Sequence, residues 1–244
     1  MTYIISDIHG QYDKYRAMLE LIEFGGEDTL YVLGDVIDRG PQGFKILLDM
    51  QTKMNIIPLV GNHEFMAAQS MKWLMKEVTD DTLKDVTADL MQGLLEWMQV
   101  GGSESIAEFR SLTREEQESI LEYLREFSIA EEVEVGGKQF VLVHAGLDNF
   151  AEDRDLWDYS LHETIFAETD YRKVYFRDKY LVTGHRPVRA IHAEMEGKDI
   201  NQLDPSQYND TIFMENNHIS IDCGCGYGGK LGCICLDTFR TFYV

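Results

Sequence analysis

An acid and an imidazole stand one residue apart near the first residue of the chain, Asp7 and His9, directly after the apolar run Tyr3-Ile4-Ile5 and before Gly10. In an extended strand, residues i and i+2 face the same side, so this pair is expected to converge on one point while Ile8 faces the core. That is the geometry of a chelate. The pattern recurs: Asp35, Asp38 and Arg39 follow an apolar run in GDVIDRG, Asn62 and His63 in GNHE, His144 in HAG and His185 in GH. Oxygen and imidazole donors of this mix suit divalent manganese, iron, zinc or nickel, with manganese the first choice, and do not suit an all-oxygen calcium site. Six of them, Asp7, His9, Asp35, Asn62, His144 and His185, are enough to hold two ions. A carboxylate has two oxygens and can bridge two cations, and Asp35 in the middle of the series is expected to do so. Asp7 and His9 would then hold one ion, and Asn62, His144 and His185 the other.

Such a cluster needs strands that deliver their ends to one place. Thr29 to Leu33 and Ile56 to Val60 read as buried strands; Tyr15, Met18, Leu19 and Ile22 share one helical face, and Phe44 to Met50 reads as a second helix. Strand, helix, strand, helix, strand implies parallel pairing with crossover helices, with ligands beyond the strand ends. From about residue 65 to 132 the periodicity turns helical. Leu83, Val86, Leu90, Leu94 and Trp97 line one face, and Thr113 with Glu116 forms a capping-box signature. This segment is expected to be a helical insertion within one domain spanning 1–244. Met66, Met71, Trp73 and Met75 are read as packing it against the sheet. Residues 132–135 and 138–143, joined by Gly136-Gly137, read as a β-hairpin; Tyr180 to Thr183, His218 to Asp222 and Leu231 to Asp237 read as further strands.

The chain has 244 residues with 43 acidic against 22 basic side chains, a formal net charge of −21. That balance argues against nucleic acid or an anionic membrane as partner, and makes an anionic substrate depend on local positive charge. With no bilayer-length apolar span and no leader before the first strand, the cytoplasm is the expected location. Cys223, Cys225, Cys233 and Cys235 are read as reduced, apolar packing residues, each Cys-x-Cys pair sharing one strand face. His162, His192 and His218 belong to no motif and are read as structural or surface residues.

The series SDIHG, GDVIDRG, GNHE, HAG and GH, in this order, resembles the phosphoprotein phosphatase branch of the calcineurin-like metallophosphoesterases, most like its compact bacterial members. The resemblance runs from Asp7 to His185 and continues more weakly in IDCGCGYGGKLGCICLD. It implies a four-layer α/β/β/α sandwich with two mixed sheets. It repeats the ligand set above, with Asp35 on both metals, and makes His63 the general acid, Asp38 the carboxylate that orients it, and Arg39 a phosphoryl ligand; Asn62 and His63 also face substrate. The implied reaction is phosphomonoester hydrolysis by direct attack of hydroxide generated between the two ions, without a covalent phosphoenzyme.

Two positions depart from that pattern and a third matches it loosely. Ser6 replaces a glycine. Tyr159, in Leu156-Trp157-Asp158-Tyr159, stands where a second phosphate-clamping arginine is usual, so Arg186, or else Arg154 or Arg177, is a candidate replacement. Tyr227 is aligned with a tyrosine near the family's active site. The first functional expectation is a serine/threonine protein phosphatase acting on phosphorylated protein or a small phosphoester. The alternative is a diadenosine tetraphosphate hydrolase, and a third reading is a silent phosphoprotein-binding module.

Overall fold

A computed structural model describes residues 1–77, 79–80, 84, 86–202 and 210–244. Strands β1 (Thr2–Ile5), β2 (Thr29–Val32) and β3 (Ile56–Pro58) pair in parallel, connected by helices α1 (Tyr12–Leu21) and α2 (Gly43–Met50). Tyr3 pairs with Leu30, and Leu30 with Ile56. The expected strand and helix alternation is therefore present. Helix α3 (Asn62–Leu74) follows β3, then α4 (Ala88–Trp97), a π-helical turn over Met98–Gly102, α5 (Ser103–Ser111) and α6 (Arg114–Tyr123). The Thr113 capping box forms: Thr113 Oγ1 accepts from Glu116 N at 3.3 Å and Glu116 Oε2 accepts from Thr113 N at 2.8 Å. Leu83 lies outside the described residues.

The remaining strands are β4 (Ala130–Val135), β5 (Lys138–Val143), β6 (Lys179–Thr183), β7 (Phe213–Glu215), β8 (His218–Ser220), β9 (Gly232–Cys235) and β10 (Thr241–Tyr243). Helices α7 (Leu161–Ile165) and α8 (Val188–Glu196) flank β6 in sequence. One sheet runs β10-β9-β1-β2-β3 and the other β4-β5-β6-β8-β7, each mixing parallel and antiparallel pairs.

Side-chain alternation sorts these strands into layers. Tyr3 and Ile5 join Val32 and Leu47 on one face of the first sheet, while Ile4 joins Leu33, Phe140, Leu142, Val182 and Ile234 between the sheets. Val141, Val143 and Leu181 point to the far face of the second sheet, where Leu147, Tyr159 and Tyr175 cover them. These layers form the expected two-sheet α/β sandwich. The insertion is tied to the first sheet, because Leu94, Trp97, Phe109 and Ile120 pack in the same cluster as Ile5 and Val32. Met71 is buried there, and Met66, Trp73 and Met75 pack against it, as expected of core side chains.

Cys233 and Cys235 share a face of β9, as expected. Cys223 and Cys225 do not: Gly224 has φ of 77°, which turns Cys223 toward the inter-sheet core and Cys225 toward the helix-covered one. Burial pushes the Cys225 thiol up to about 12, so it is held as a thiol at neutral pH. His218 is buried, accepts or donates at 2.9 Å to Thr183 Oγ1, and stacks on Tyr171 at 4.9 Å, a structural role.

Candidate metal and phosphate centre

The polar residues converge by a different route from strand alternation. β1 stops at Ile5, and Asp7 and His9 follow it with φ of 53° and 48°. Asp35, Asp38, Arg39 and His185 are also left-handed, with φ of 53°, 71°, 63° and 64°. Non-glycine residues rarely occupy this region, and a cluster of them marks backbone held against its preference by its surroundings. Ile8 is fully buried, as expected, but through a turn and not a pleat. Asn62 and His63 likewise lie beyond the strand, in the first turn of α3.

The holding contacts are specific. Asp7 N donates to Gly34 O at 3.1 Å, and His9 N to Asp35 O at 3.0 Å, which locks the first loop onto the second. Glu64 locks the second onto α3: its carboxylate accepts from the amides of Asp35 at 2.8 Å, Val36 at 2.8 Å, Ile37 at 3.2 Å and Gly61 at 3.0 Å. Burial and the Asp35 charge push Glu64 up to about 7, and these amide donors oppose that rise. Gly61 must lack a side chain, since a Cβ there would lie 2.2 Å from Asp35 Oδ1. Glu64→Ala would leave four buried amides unsatisfied. A loss of about 3–5 kcal/mol is expected, read as a lower urea midpoint.

Asp35 occupies the middle. Its Oδ2 lies 3.8 Å from His9 Nε2 and 3.7 Å from His63 Nε2, and its Oδ1 lies 3.4 Å from His144 Nε2. Asn62 Oδ1 is 3.0 Å from His144 Nε2 and 2.9 Å from His185 Nδ1, and those two nitrogens are 3.2 Å apart. His144 Nδ1 donates to Leu33 O at 2.6 Å and His9 Nδ1 to Ile37 O at 2.9 Å, so the Nε2 atom of each carries a lone pair. Burial lowers both histidines, His9 to about 3, and burial with the neighbouring His144 lowers His185 to about 4. These rings are therefore neutral.

The arrangement fits cations. Lone pairs of His144 Nε2 and Asn62 Oδ1 face each other at 3.0 Å, a repulsion that a positive ion between them removes. Asp7 is buried, with Oδ2 accepting from Ser6 Oγ at 2.5 Å and His185 N at 2.9 Å, while its Oδ1 has no hydrogen-bond partner. Burial and the charges of Asp222 and Asp35 raise Asp7 well above the ordinary carboxylate range. Burial, with a further push from Asp35, raises Asp222 to about 7. Three buried carboxylates and an orphaned oxygen are costly without compensating charge. The donors separate into His9 and His63 with one oxygen of Asp35, and His144 with the other, alongside His185; Asp7 belongs to neither group and touches the centre through the hydrogen bond it accepts from His185 N.

His63 stands beside this cluster. Its Nδ1 donates to Asp38 Oδ2 at 2.6 Å, and although burial pulls its pKa down, Asp35 and Asp38 outweigh that and raise it. Asp38 Oδ2 also accepts from Trp97 Nε1 at 2.7 Å, and Asp38 N donates to Ser105 Oγ at 2.9 Å. Arg39 donates through Nη1 to His9 Nε2 at 2.7 Å and lies 3.2 Å from His63 Nε2 through Nη2. Its guanidinium also lies over the Tyr227 ring at 4.4 Å, which brings that tyrosine to the site.

Sequence reasoning did not single out Glu64, Trp97, Ser105 or Asp222. The first and last sit inside quoted motifs, whereas Trp97 and Ser105 come from helices distant in sequence and carry no local signal. Trp97→Phe should lower kcat about tenfold at unchanged KM, because the hydrogen bond that fixes Asp38 is removed while a ring still fills most of the buried site, and the smaller ring should also lower stability.

Two of the three candidates for a second clamp, Arg186 and Arg154, are engaged elsewhere. Arg186 pairs with Glu194 at 2.7 Å, on α8. Arg154 grips both oxygens of Glu163 at 2.9 Å and lies 3.8 Å over Tyr159, which is buried in the far-face cluster. Arg177 offers its carbonyl to Asn217.

The symmetrical bis(5'-nucleosyl)-tetraphosphatase of Wigglesworthia glossinidia brevipalpis is 35% identical over 99 residues, covering 39% of this chain and 36% of that protein. The protein of the same name from Acidovorax ebreus is 29% identical over 147 residues, 59% of this chain and 43% of that one. The match thus spans less than half the length of either relative. A crystal structure provisionally described as a diadenosine tetraphosphatase superposes with a TM-score of 0.66 at 17% identity, over 100% of this chain and 92% of that one. A protein serine/threonine phosphatase from Saccharomyces cerevisiae gives 0.52 at 12% identity, over 100% and 78%. Both likenesses concern the fold. No described helix is long and apolar enough to cross a membrane. The family model for calcineurin-like phosphoesterases matches residues 2–221, and with nearly the whole sandwich inside that span the chain belongs to this family.

Proposed function

We propose that the chain is a metal-dependent hydrolase of dinucleoside polyphosphates, cutting the central anhydride of a dinucleoside tetraphosphate to give two nucleoside diphosphates. The observation that carries the chemistry is the division of Asp35's oxygens between two donor groups, with the His63–Asp38 dyad beside them. The names of the curated relatives favour the anhydride over the phosphoprotein that the sequence motifs put first. Against the silent-module reading stands a physical reason: His9, Asp35, His144 and His185 keep their donor atoms together at buried or half-buried positions, and Asp7 keeps a buried oxygen without a partner.

Two divalent ions, held by Asp7, His9, Asp35, Asn62, His144 and His185, would supply Lewis acidity and an acidified water. Arg39 binds the nonbridging oxygens of the reacting phosphate and offsets charge that builds there. Attack of water oxygen on phosphorus forms one P–O bond and breaks the bridging one. His63, held by Asp38, gives its Nε2 proton to the departing diphosphate oxygen. Asp38 keeps Nδ1 protonated, so the ring remains aimed while it loses and regains the other proton.

Diadenosine tetraphosphate and a phosphoserine peptide assayed side by side with manganese test the reading. ADP as sole nucleotide product, with the peptide hydrolysed far more slowly, is expected. ATP plus AMP, or turnover of the peptide alone, would reject it.

A further inference from the structure

The loop that closes the metal centre on one side forms the wall of a cavity on the other. Gly226 packs so tightly on His9 that a Cβ there would lie 2.4 Å from His9 Cδ2, and the next residue, Tyr227, lies under the Arg39 guanidinium. Tyr227 also borders a cavity of about 310 Å³, together with Pro187, Ala190, Ile200, Cys223 and the Arg189–Asp210 pair. This volume is at the small end of small-ligand sites.

The wall is preformed. Tyr227 N and Gly229 N both donate to Gly224 O at 2.9 Å, Lys230 N donates to Cys223 O at 3.1 Å, and Lys14 Nζ donates to Gly229 O. The opposite side belongs to α8 and the turn after it. Two large side chains at this cavity are left in solvent: Tyr227 is 69% exposed and Ile200 44% exposed. These two side chains give the recess an apolar border that a ligand can cover.

From this arrangement we infer that the cavity between the 223–230 loop and α8 is a nucleobase subsite, which seats one heteroaromatic end of the substrate while its phosphate chain runs past Tyr227 to Arg39. The inference rests on the dinucleotide reading above. A base fits this wall in two ways. The phenol ring already carries a guanidinium on it, and a flat heterocycle beside Tyr227 extends that stack. Arg189 donates through Nε to Asp210 Oδ1 at 3.0 Å and through Nη2 to Asp210 Oδ2, so the cavity rim presents N–H donors and carboxylate acceptors together. A base edge with ring nitrogens and an amino group can use the guanidinium N–H groups and carboxylate lone pairs that this pair leaves over. In a central cut the base lies two phosphates from the reacting atom, which puts it beside, and not within, the metal centre.

Calorimetric titration of ADP and of pyrophosphate into the manganese-loaded protein tests the subsite. ADP should bind at least about tenfold more tightly than pyrophosphate, the stacking contribution of a base. Ala190→Trp, which fills the cavity from α8, and Tyr227→Leu, at an exposed position that leaves folding intact, should each reduce that preference to less than about twofold. The inference is overturned if the wild-type protein binds the two equally, or if both variants keep the preference. The two readings fail separately. Cleavage of diadenosine tetraphosphate with no ADP preference rejects the subsite alone, and an ADP preference lost in both variants without dinucleotide cleavage rejects the proposed reaction alone.

Discussion

Asp35→Asn is expected to lower kcat/KM by about 10²–10³-fold and to reduce bound metal from two ions per chain to one or fewer. The carboxylate faces His9 and His63 with one oxygen and His144 with the other. An amide has one oxygen to offer, and its NH2 group presents hydrogens where the second cation requires a lone pair. The variant also loses the charge that offsets two dications. The backbone should be unaffected, because Glu64 and not the Asp35 side chain holds the turn at Val36 and Ile37. Elemental analysis after dialysis, with circular dichroism as the folding control, separates the outcomes. Full activity with two ions retained would remove Asp35 from the centre.

His63→Ala should cost about 10²–10⁴-fold, and the size of the loss should depend on the leaving group. A proton donor matters most when the departing oxygen is a strong base. An alkyl phosphate, which expels an alkoxide, should suffer most; 4-nitrophenyl phosphate and the anhydride, whose leaving groups are already weakly basic, should suffer less. Asp38→Asn is expected to fall short of the His63 loss. Combined with His63→Ala it should add little, because the 2.6 Å contact makes the two residues one unit. Equal losses for all leaving groups would assign His63 to phosphate binding and not to proton transfer.

Much of this centre is legible in the sequence because its parts lie next to the turns that build it. Each short motif follows an apolar run, and parallel pairing brings the ends of β1 and β2 out on one side of the first sheet and those of β5 and β6 out on one side of the second, which sets Asp7 near Asp35 and His144 near His185; the packing of the two sheets then joins Asp35 to His144. Even so, the pleat was the wrong device. Asp7 and His9 both leave the strand in the left-handed region, which Asp and His visit more readily than most side chains but which no local pattern requires of them.

What tertiary structure alone decided is whatever depends on contacts across long separations. Trp97 reaches Asp38 across 59 residues and Ser105 reaches it across 67, from helices whose periodicity predicts only a buried face. Arg186 adjoins His185 in the chain, yet its partner is Glu194 one helix away, while Tyr227, far along the sequence, lies beside Arg39. Local pattern fixes which residues sit at a turn, because turns and strand faces are set by neighbours a few positions apart. Which distant side chain then completes a hydrogen bond or a cavity wall is set by how the layers pack, and that has no local code.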